Sequence, residues 1–386
     1  MTKTLSKWNR DKLGNTIALV KNSWRPSDEN IKYVGLEHIN QDELSLNGVG
    51  ASEGLASNKF RFSKGDILFG KLRPYFRKVV RPSFNGVCST DIWVMRAKEG
   101  YDQSYLFYFM ANPVLISKSM GASTGTHMPR ADWNYLSGTE WYFPELSEQK
   151  EIAEVLSSLD DKIELLQKQS ETLEQIAQAL FKEWFLEFNF PDKNGKPYKK
   201  SGGKMSDSEL GEIPEGWEVG FLNDISEITS GKRPDNSVDK KTKTHQIPLV
   251  GATRIMGYVE EPLYDEDILV IGRVGTHGVI QRFYDRVWVS DNAFVIKSKD
   301  FVFLYHVLKN INYEKLNKGA VQPLITQTDL KNYKLAMPND NVMDLFGMAG
   351  SEVFLKLKEN SFQVNVLSKI RDFLLPKLMN GEVRVK

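Results

Sequence analysis

The sequence predicts an α+β chain. Two similar mixed α/β domains alternate with two long helices, and the helices pair as an antiparallel two-helix coiled coil with an internal pseudo-two-fold. Three observations predict this. A long 4-3 repeat of apolar residues fills the middle of the chain, a second lies at its end, and the stretch ahead of the first recurs ahead of the second.

Residues 1–146 read as the first domain, with buried-strand runs at 33–39 (YVGLEHI), 66–72 (DILFGKL) and 89–97 (STDIWVMRA). A short helix over 105–113 ends at Pro113, and 120–133 is a polar, glycine-bearing loop. The first long helix spans 147–189. Its seam runs Ile152, Leu156, Leu159, Ile163, Leu166, Ser170, Leu173, Ala177, Leu180 and Trp184, and only Ser170 breaks it. Ser147 is expected as its N-cap, with Glu148 and Glu151 at the positive end of the helix dipole. A helix of that length reaches roughly 60 Å at 1.5 Å per residue, so it reads as a spacer needing a partner helix.

Residues 190–213 read as a basic flexible linker, since 191–209 is rich in Gly and Ser and carries five lysines. A second domain is expected over 214–340 and a second spacer helix over 341–380. The second seam is Val353, Leu357, Asn360, Val364, Leu367, Arg371, Leu374 and Leu378, with two polar positions. Pro376 should kink or end this helix, and Ile370 with Phe373 suggests burial on a second side.

The repeat is the most informative feature. Trp8 and Leu13 recur as Trp217 and Leu222, and Arg25-Pro26 as Arg233-Pro234. The run at 33–39 matches 248–255, 65–72 matches 266–274, 89–98 matches 289–299, and 105–110 matches 303–308. Gly121-Ala122 returns as Gly319-Ala320 and Phe143-Pro144 as Met337-Pro338, the offset drifting only from about 209 to about 194. Two domains inverted about one helix pair would suit a bipartite target such as two DNA half-sites.

Composition excludes several classes. No apolar run approaches membrane-spanning length, and the N-terminus has no apolar signal core. The single cysteine, Cys88, rules out an intramolecular disulfide and reads as buried. The sequence has no GxxxxGK[ST] loop and no GxGxxG after a strand. Asn112-Pro113-Val114-Leu115 reads as a helix stop, and Glu148-Gln149-Lys150 as first-turn charge. The five histidines lack metal-ligand spacing, so no metal site and no catalytic residues are expected.

Net charge is only +1, so any nucleic-acid surface must be local. Lys59 to Arg81 carries Lys59, Arg61, Lys64, Lys71, Arg73, Arg77, Lys78 and Arg81 against one acid, Asp66. Its counterpart is leaner: Arg254, Arg273, His277, Gln281, Arg282 and Arg286, with Lys232-Arg233 earlier. Arginine forks onto guanine and glutamine onto adenine in the major groove, whereas lysine mostly holds phosphate. Acids outnumber lysines on the first long helix, which therefore separates DNA readers without binding DNA.

The arrangement resembles the DNA-specificity (S) subunit of type I restriction-modification systems over essentially the whole chain. The residues that carry the resemblance are EQKEIAEVLSSLDDKIELLQKQSETLEQIAQALFKEWF (148–185), GEIPEGWEVGFLNDI (211–225) and LSKIRDFLLPKLMNGEVRV (367–385), with the strand pattern at Gly65–Leu68 and Glu266–Leu269. The second half lacks both the basic cluster at 71–81 and the STGTHMPR loop, so the two domains should read different half-sites.

The resemblance implies a non-catalytic, prokaryotic cytoplasmic subunit that reads a bipartite asymmetric DNA target. It would dock two methyltransferase subunits and, in the full assembly, restriction subunits. S-adenosylmethionine, ATP and magnesium would bind those partners, and no cofactor is expected here. Recognition loops would be 70–81 with 121–130, adding Thr124, Thr126, His127 and Arg130, and 273–282 with 319–327, adding Thr276, Gln322 and Gln327. The rival expectation is a coiled-coil protein scaffold without DNA specificity, which explains the helices but not the recurring polar loops.

Overall fold

A strand that is apolar at every position must be buried on both faces, because successive side chains point to opposite sides of the sheet. The computed structural model, which describes residues 8–26, 29–121, 129–273, 278–316 and 324–385, shows this in both halves. In the first, strands β1 (Ile17–Leu19), β2 (Ile67–Gly70), β3 (Val79–Val80) and β4 (Ile92–Ala97) form one antiparallel sheet in the order β1-β4-β2-β3. Ile67, Phe69, Trp93 and Met95 face a core built on the helix Gln103–Ala111, while Leu68, Val80, Ile92 and Val94 face a second core with Val34, Phe62 and Cys88.

The second half repeats this. Strands β5 (Glu227–Ser230), β6 (Ile268–Gly272), β7 (Ile280–Phe283) and β8 (Ala293–Lys297) pair in the order β5-β8-β6-β7. Leu269, Ile271, Phe294 and Ile296 face one core, and Ile268, Val270 and Val295 the other. Each half also has a parallel pair, Tyr33 and Val34 beside Val87 and Cys88, Leu249 and Val250 beside Trp288 and Val289. An antiparallel ribbon closes each: Asn9–Lys12 with Glu140–Phe143, and Glu218–Phe221 with Lys334–Met337. Three matching sheet motifs in the same chain order make the two domains structural repeats.

The long helices are α1 (Leu146–Phe181), which widens into a π-helical turn over Lys182–Leu186, and α2 (Asp340–Met379). The chain divides into two units, Met1–Gln167 with Phe362–Lys386, and Lys168–Ser361, so the boundary falls within both long helices. In the first unit Ile152, Ala153 and Leu156 of α1 share the core with Leu375, Leu378 and Met379 of α2, and Arg371 bonds Asp160 at 2.9 Å. In the second, Ala177 and Phe181 pack with Phe346, Phe354 and Leu357, and Asn360 donates to the Gln169 amide oxygen at 3.0 Å and to the Ser170 hydroxyl at 3.2 Å. Within each unit the facing residue numbers rise on one helix as they fall on the other, so the pairing is antiparallel.

The seam differs from expectation in detail. Ile152, Leu156, Ile163, Leu166 and Leu357 are buried, but Leu159, Leu173, Leu180, Trp184, Val353, Val364, Leu367 and Leu374 are only half-buried. Phe354 and Leu375, one residue on from the expected positions, take the deeper places. A straight helix drifts against a strict seven-residue repeat, and here domain residues fill part of the seam. Ser147 lies inside the first turn and is not the N-cap, because the helix starts at Leu146. Pro376 does not end α2, which continues to Met379. Ile370 and Phe373 are not buried on a second side; they are 41% and 61% exposed.

The expected flexible linker is folded. Asp192 accepts backbone bonds from Asn194 and Lys196, both 2.8 Å, which closes a tight turn. Phe190 stacks on Tyr198 and on Trp217, with centroids 4.6 and 5.3 Å away, and Met205–Ser208 pairs with Gly211–Pro214. Aromatic burial outweighs the Gly/Ser composition here.

Candidate nucleic-acid interface

In the first unit the chain leaves β2 and forms a short ribbon with residues 129–131. The Lys71 carbonyl accepts from the Ala131 amide at 2.8 Å, Leu72 bridges Arg130, and the Arg73 amide donates to the Pro129 carbonyl at 2.8 Å. The Lys71 amide donates to the Asp91 carbonyl at 2.9 Å, which fixes the ribbon to the start of β4. Lys71, Arg73 and Arg130 are thus brought together. Arg130 lies 3.3 Å from the Asp91 carboxylate, while the side chains of Lys71 and Arg73 make no hydrogen bond or ion pair with any described residue. Beside the ribbon lies a cleft of about 530 Å³ lined by Lys21, Lys71, Trp93, Arg130, Trp133 and Asn134. Lys21, Trp133 and Asn134 were missed from the sequence; the tryptophan closing a polar glycine-bearing loop was the available signal.

The second unit repeats the backbone geometry. The Arg273 amide donates to the Asn292 carbonyl at 3.1 Å, and its carbonyl accepts from the Ile325 amide at 3.0 Å. Arg273 is therefore the counterpart of Lys71, and Asn292 of Asp91. The Arg273 guanidinium is half-exposed above the Phe294 ring, 5.8 Å from its centroid, and Arg254 is exposed. Thr124, Thr126, His127, Thr276, His277 and Gln322 lie outside the described residues.

Other expected DNA contacts are committed within the protein. Arg77 is buried, donating to the Asp42 carbonyl at 2.7 Å and to the Asp372 carboxylate at 2.9 Å. The Lys78 ammonium donates to the Leu36 carbonyl at 2.6 Å, and burial pushes its pKa down, with Glu37 pulling the other way. Arg81 bonds the Ser104 hydroxyl and lies over Phe107. Arg282 pairs with Glu174 of α1 and stacks on Tyr305 and Phe354. Burial opposes its charge, but nearby Tyr305, Tyr284 and Glu174 more than offset that and raise its pKa. Gln281 donates to the carbonyls of Gly251 and Ala252 at 3.0 and 3.1 Å, and Gln327 to that of Ile228. Sequence shows a donor but not what it bonds, and each of these side chains bonds inside, although Arg77 Nε and Arg282 Nη1 are buried without a hydrogen-bond partner among the described residues.

Glu148-Gln149-Lys150 is not simply first-turn charge. Gln149 is buried, accepting from the Asp102 amide at 2.9 Å and donating to the Pro144 carbonyl at 2.9 Å, and Glu148 takes two bonds from Arg384. Two other features read as bland remain so. Asn112 ends one helix and caps the next by accepting from the Val114 amide at 3.0 Å. Cys88 is fully buried, and burial pushes its thiol up to about 12, which keeps it protonated and unreactive.

Comparison with known proteins shows the same duplication. The family model described as the type I restriction modification DNA specificity domain matches residues 8–175 and again 214–342. The type I restriction enzyme MjaIX specificity subunit of Methanocaldococcus jannaschii is 30% identical over 317 residues, covering 75% of this chain and 71% of that one. The putative MjaX specificity subunit of the same organism is 25% identical over 425 residues, covering 99% and 90%. The crystal structure of the type I restriction-modification S subunit from M. genitalium aligns with a TM-score of 0.54 at 16% identity, covering 96% of each chain, a likeness of fold.

Proposed function

Because this chain belongs to the type I restriction-modification DNA specificity family, we propose that it reads an asymmetric duplex DNA target in two parts, one per domain. The observation that carries this reading is the duplicated ribbon. Lys71 and Arg273 occupy the same backbone position in the two domains, each pinned by the same pair of main-chain bonds. A β-supported ribbon that carries a cation at this position suits groove entry, since a two-stranded ribbon fits the major groove. The two cations differ in chemistry. A guanidinium forks onto guanine where an ammonium offers a point charge, so the half-sites should differ.

The chemistry of the assembly is assigned to partner chains. Two methyltransferase subunits would carry S-adenosylmethionine, and restriction subunits ATP and magnesium. What supports docking is α2, where Val366, Ile370 and Phe373 line a shallow groove with Lys369 and Leu374, and Phe373 is 61% exposed. Exposed apolar side chains on one helix face suit a protein partner. Among the described residues no helix is long and apolar enough to cross a membrane, and we place the protein in the prokaryotic cytoplasm, where its DNA substrate would be.

The test is equilibrium binding of the full chain, with its methyltransferase partner, to cognate and random duplexes. Arg73→Ala and Arg273→Ala are each expected to cost about 1–3 kcal/mol on the cognate site and little on random DNA. Equal losses on both duplexes would reduce these residues to phosphate contacts. No loss on either would remove the ribbons from the interface.

A further inference from the structure

Two arginines of the β2–β3 and β6–β7 hairpins are committed within their units. Arg77 lies between β2 and β3, its side chain 8% exposed, and reaches Asp372 on α2. Arg282 lies on β7, its side chain 18% exposed, and reaches Glu174 on α1. Each domain's recognition hairpin is thus tied by a buried guanidinium to a carboxylate on a long helix. The two ties are not repeats of one another: Phe69 pairs with Val79 as Ile271 pairs with Ile280, so Arg282 matches Arg81, and the Arg77 tie belongs to the first unit.

We propose that Arg77 and Asp372 form a clamp that positions the 71–81 segment for reading the first half-site, Arg77 itself never touching DNA. This rests on the reading of the Lys71–Arg73 ribbon as a DNA contact. The segment has a reason to need a clamp. Arg73 and Arg77 flank the 3-10 turn Pro74–Phe76 with φ of 50° and 46°, left-handed values that cost a side-chain-bearing residue energy and persist only where surroundings fix them. The facing loop is strained likewise, with Asp42 and Leu44 at φ of 63° and 58°. Arg77 joins the two loops through the Asp42 carbonyl, and the Asp42 amide donates to the Phe76 carbonyl at 3.2 Å.

The anchor is itself braced. Asp372 also accepts from Arg371 at 3.2 Å, and Arg371 reaches the Glu43 carbonyl at 3.1 Å and Asp160 at 2.9 Å. Asp160 in turn accepts from the Tyr108 hydroxyl at 2.7 Å. Two guanidiniums face the carboxylates of Asp160 and Asp372, and the Asp42 carboxylate lies 3.6 Å from Arg77 Nε. Swinging Arg77 out to a phosphate would leave the Asp42 carbonyl without this donor and Asp372 with Arg371 alone, and would take a guanidinium that is 8% exposed away from its partners.

The test uses full-length Arg77→Met, Asp372→Asn and the double variant, with Arg77→Lys as conservative rescue and Arg73→Ala as reference. Affinities for cognate and random duplexes are measured across a salt series, alongside unfolding midpoints. The clamp predicts a roughly tenfold or greater loss of cognate-over-random preference in either single variant. The double variant should be no worse than the singles, Arg77→Lys should recover part of the preference, and the random-duplex salt slope should stay unchanged. Loss in Arg77→Met without loss in Asp372→Asn would make Arg77 a DNA contact and overturn the clamp. Unchanged preference in both, whatever happens to the midpoint, would make the pair merely structural and equally overturn it. If Arg73→Ala has no effect on any duplex, the ribbon reading has failed and the clamp falls with it. A normal Arg73→Ala loss beside silent clamp variants refutes the clamp alone.

Discussion

His306 shows how a single residue departs from what its chemistry invites. It is 1% exposed in the helix Phe301–Asn310, and neither ring nitrogen has a hydrogen-bond partner among the described residues. It stacks on Phe181 and meets Tyr305, Phe346 and Phe354 edge-on, so it serves as an aromatic filler. Burial, helped by Lys309 and Arg282 and opposed by Glu174, pushes its pKa down to about 4 from 6.5. A base with a lowered folded pKa stays neutral in the native state while the unfolded chain takes up a proton. Stability is therefore full above about pH 6.5 and falls as pH drops toward 4. The loss from this group is about 2 kcal/mol at pH 5. His306→Phe should remove that slope and be at least as stable at pH 8, because it replaces two unpaired buried nitrogens with carbon. Urea unfolding at pH 8, 6 and 5 decides; an unchanged pH dependence would show the imidazole to be hydrated.

At the scale of elements, the long helices combine a buried face that holds polar groups with an exposed face that holds apolar ones. Asn360 and Arg371 occupy seam positions and are 0% and 2% exposed. Burial alone would lower the Arg371 pKa, but Asp160 and then Asp372 more than offset it and raise it. A paired polar group in a helix seam penalises every other register, since a slip leaves it unpaired. The opposite face of α2 exposes Ile370 and Phe373, the face proposed above for docking. Ile370→Asp with Phe373→Asp should abolish co-purification with the co-expressed methyltransferase subunit. Both side chains are exposed, so stability should move by no more than about 0.5 kcal/mol and DNA preference should persist. Stoichiometric co-purification of that variant would remove this face from the docking surface.

The whole molecule is two repeated units with separate cores, so the parts of the target should be separable. Arg73→Ala is expected to relax one part of the selected sequence and Arg273→Ala the other. Combining them should add their free-energy costs within about 0.5 kcal/mol, as independent sites do. Selection from a random duplex pool reads this directly. A single variant that relaxes both parts would mean that the two domains share one recognition surface.

The sequence by itself determined the repeat, the two-sided burial of the central strands and the existence and pairing of the long helices. Each of these is a pattern of apolar residues summed over many positions, so a few exceptions such as Ser170, Asn360 and Arg371 do not erase it. Where each charge goes was decided by tertiary structure alone. Lys71, Arg73, Arg77, Lys78 and Arg81 are one basic cluster in sequence, yet Lys71 and Arg73 stay unpaired among the described residues while the other three are bonded inward. The carboxylate that claims Arg77 lies 295 residues away, and the one that claims Arg282 lies 108 away, so no local window contains the pair. For the same reason the lysine-rich 191–209 stretch reads as linker until Phe190, Tyr198 and Trp217 meet, and Ile370 and Phe373 read as core until nothing described covers them. Apolar periodicity is local information, whereas the partner of a single polar atom is fixed only when distant segments fold together.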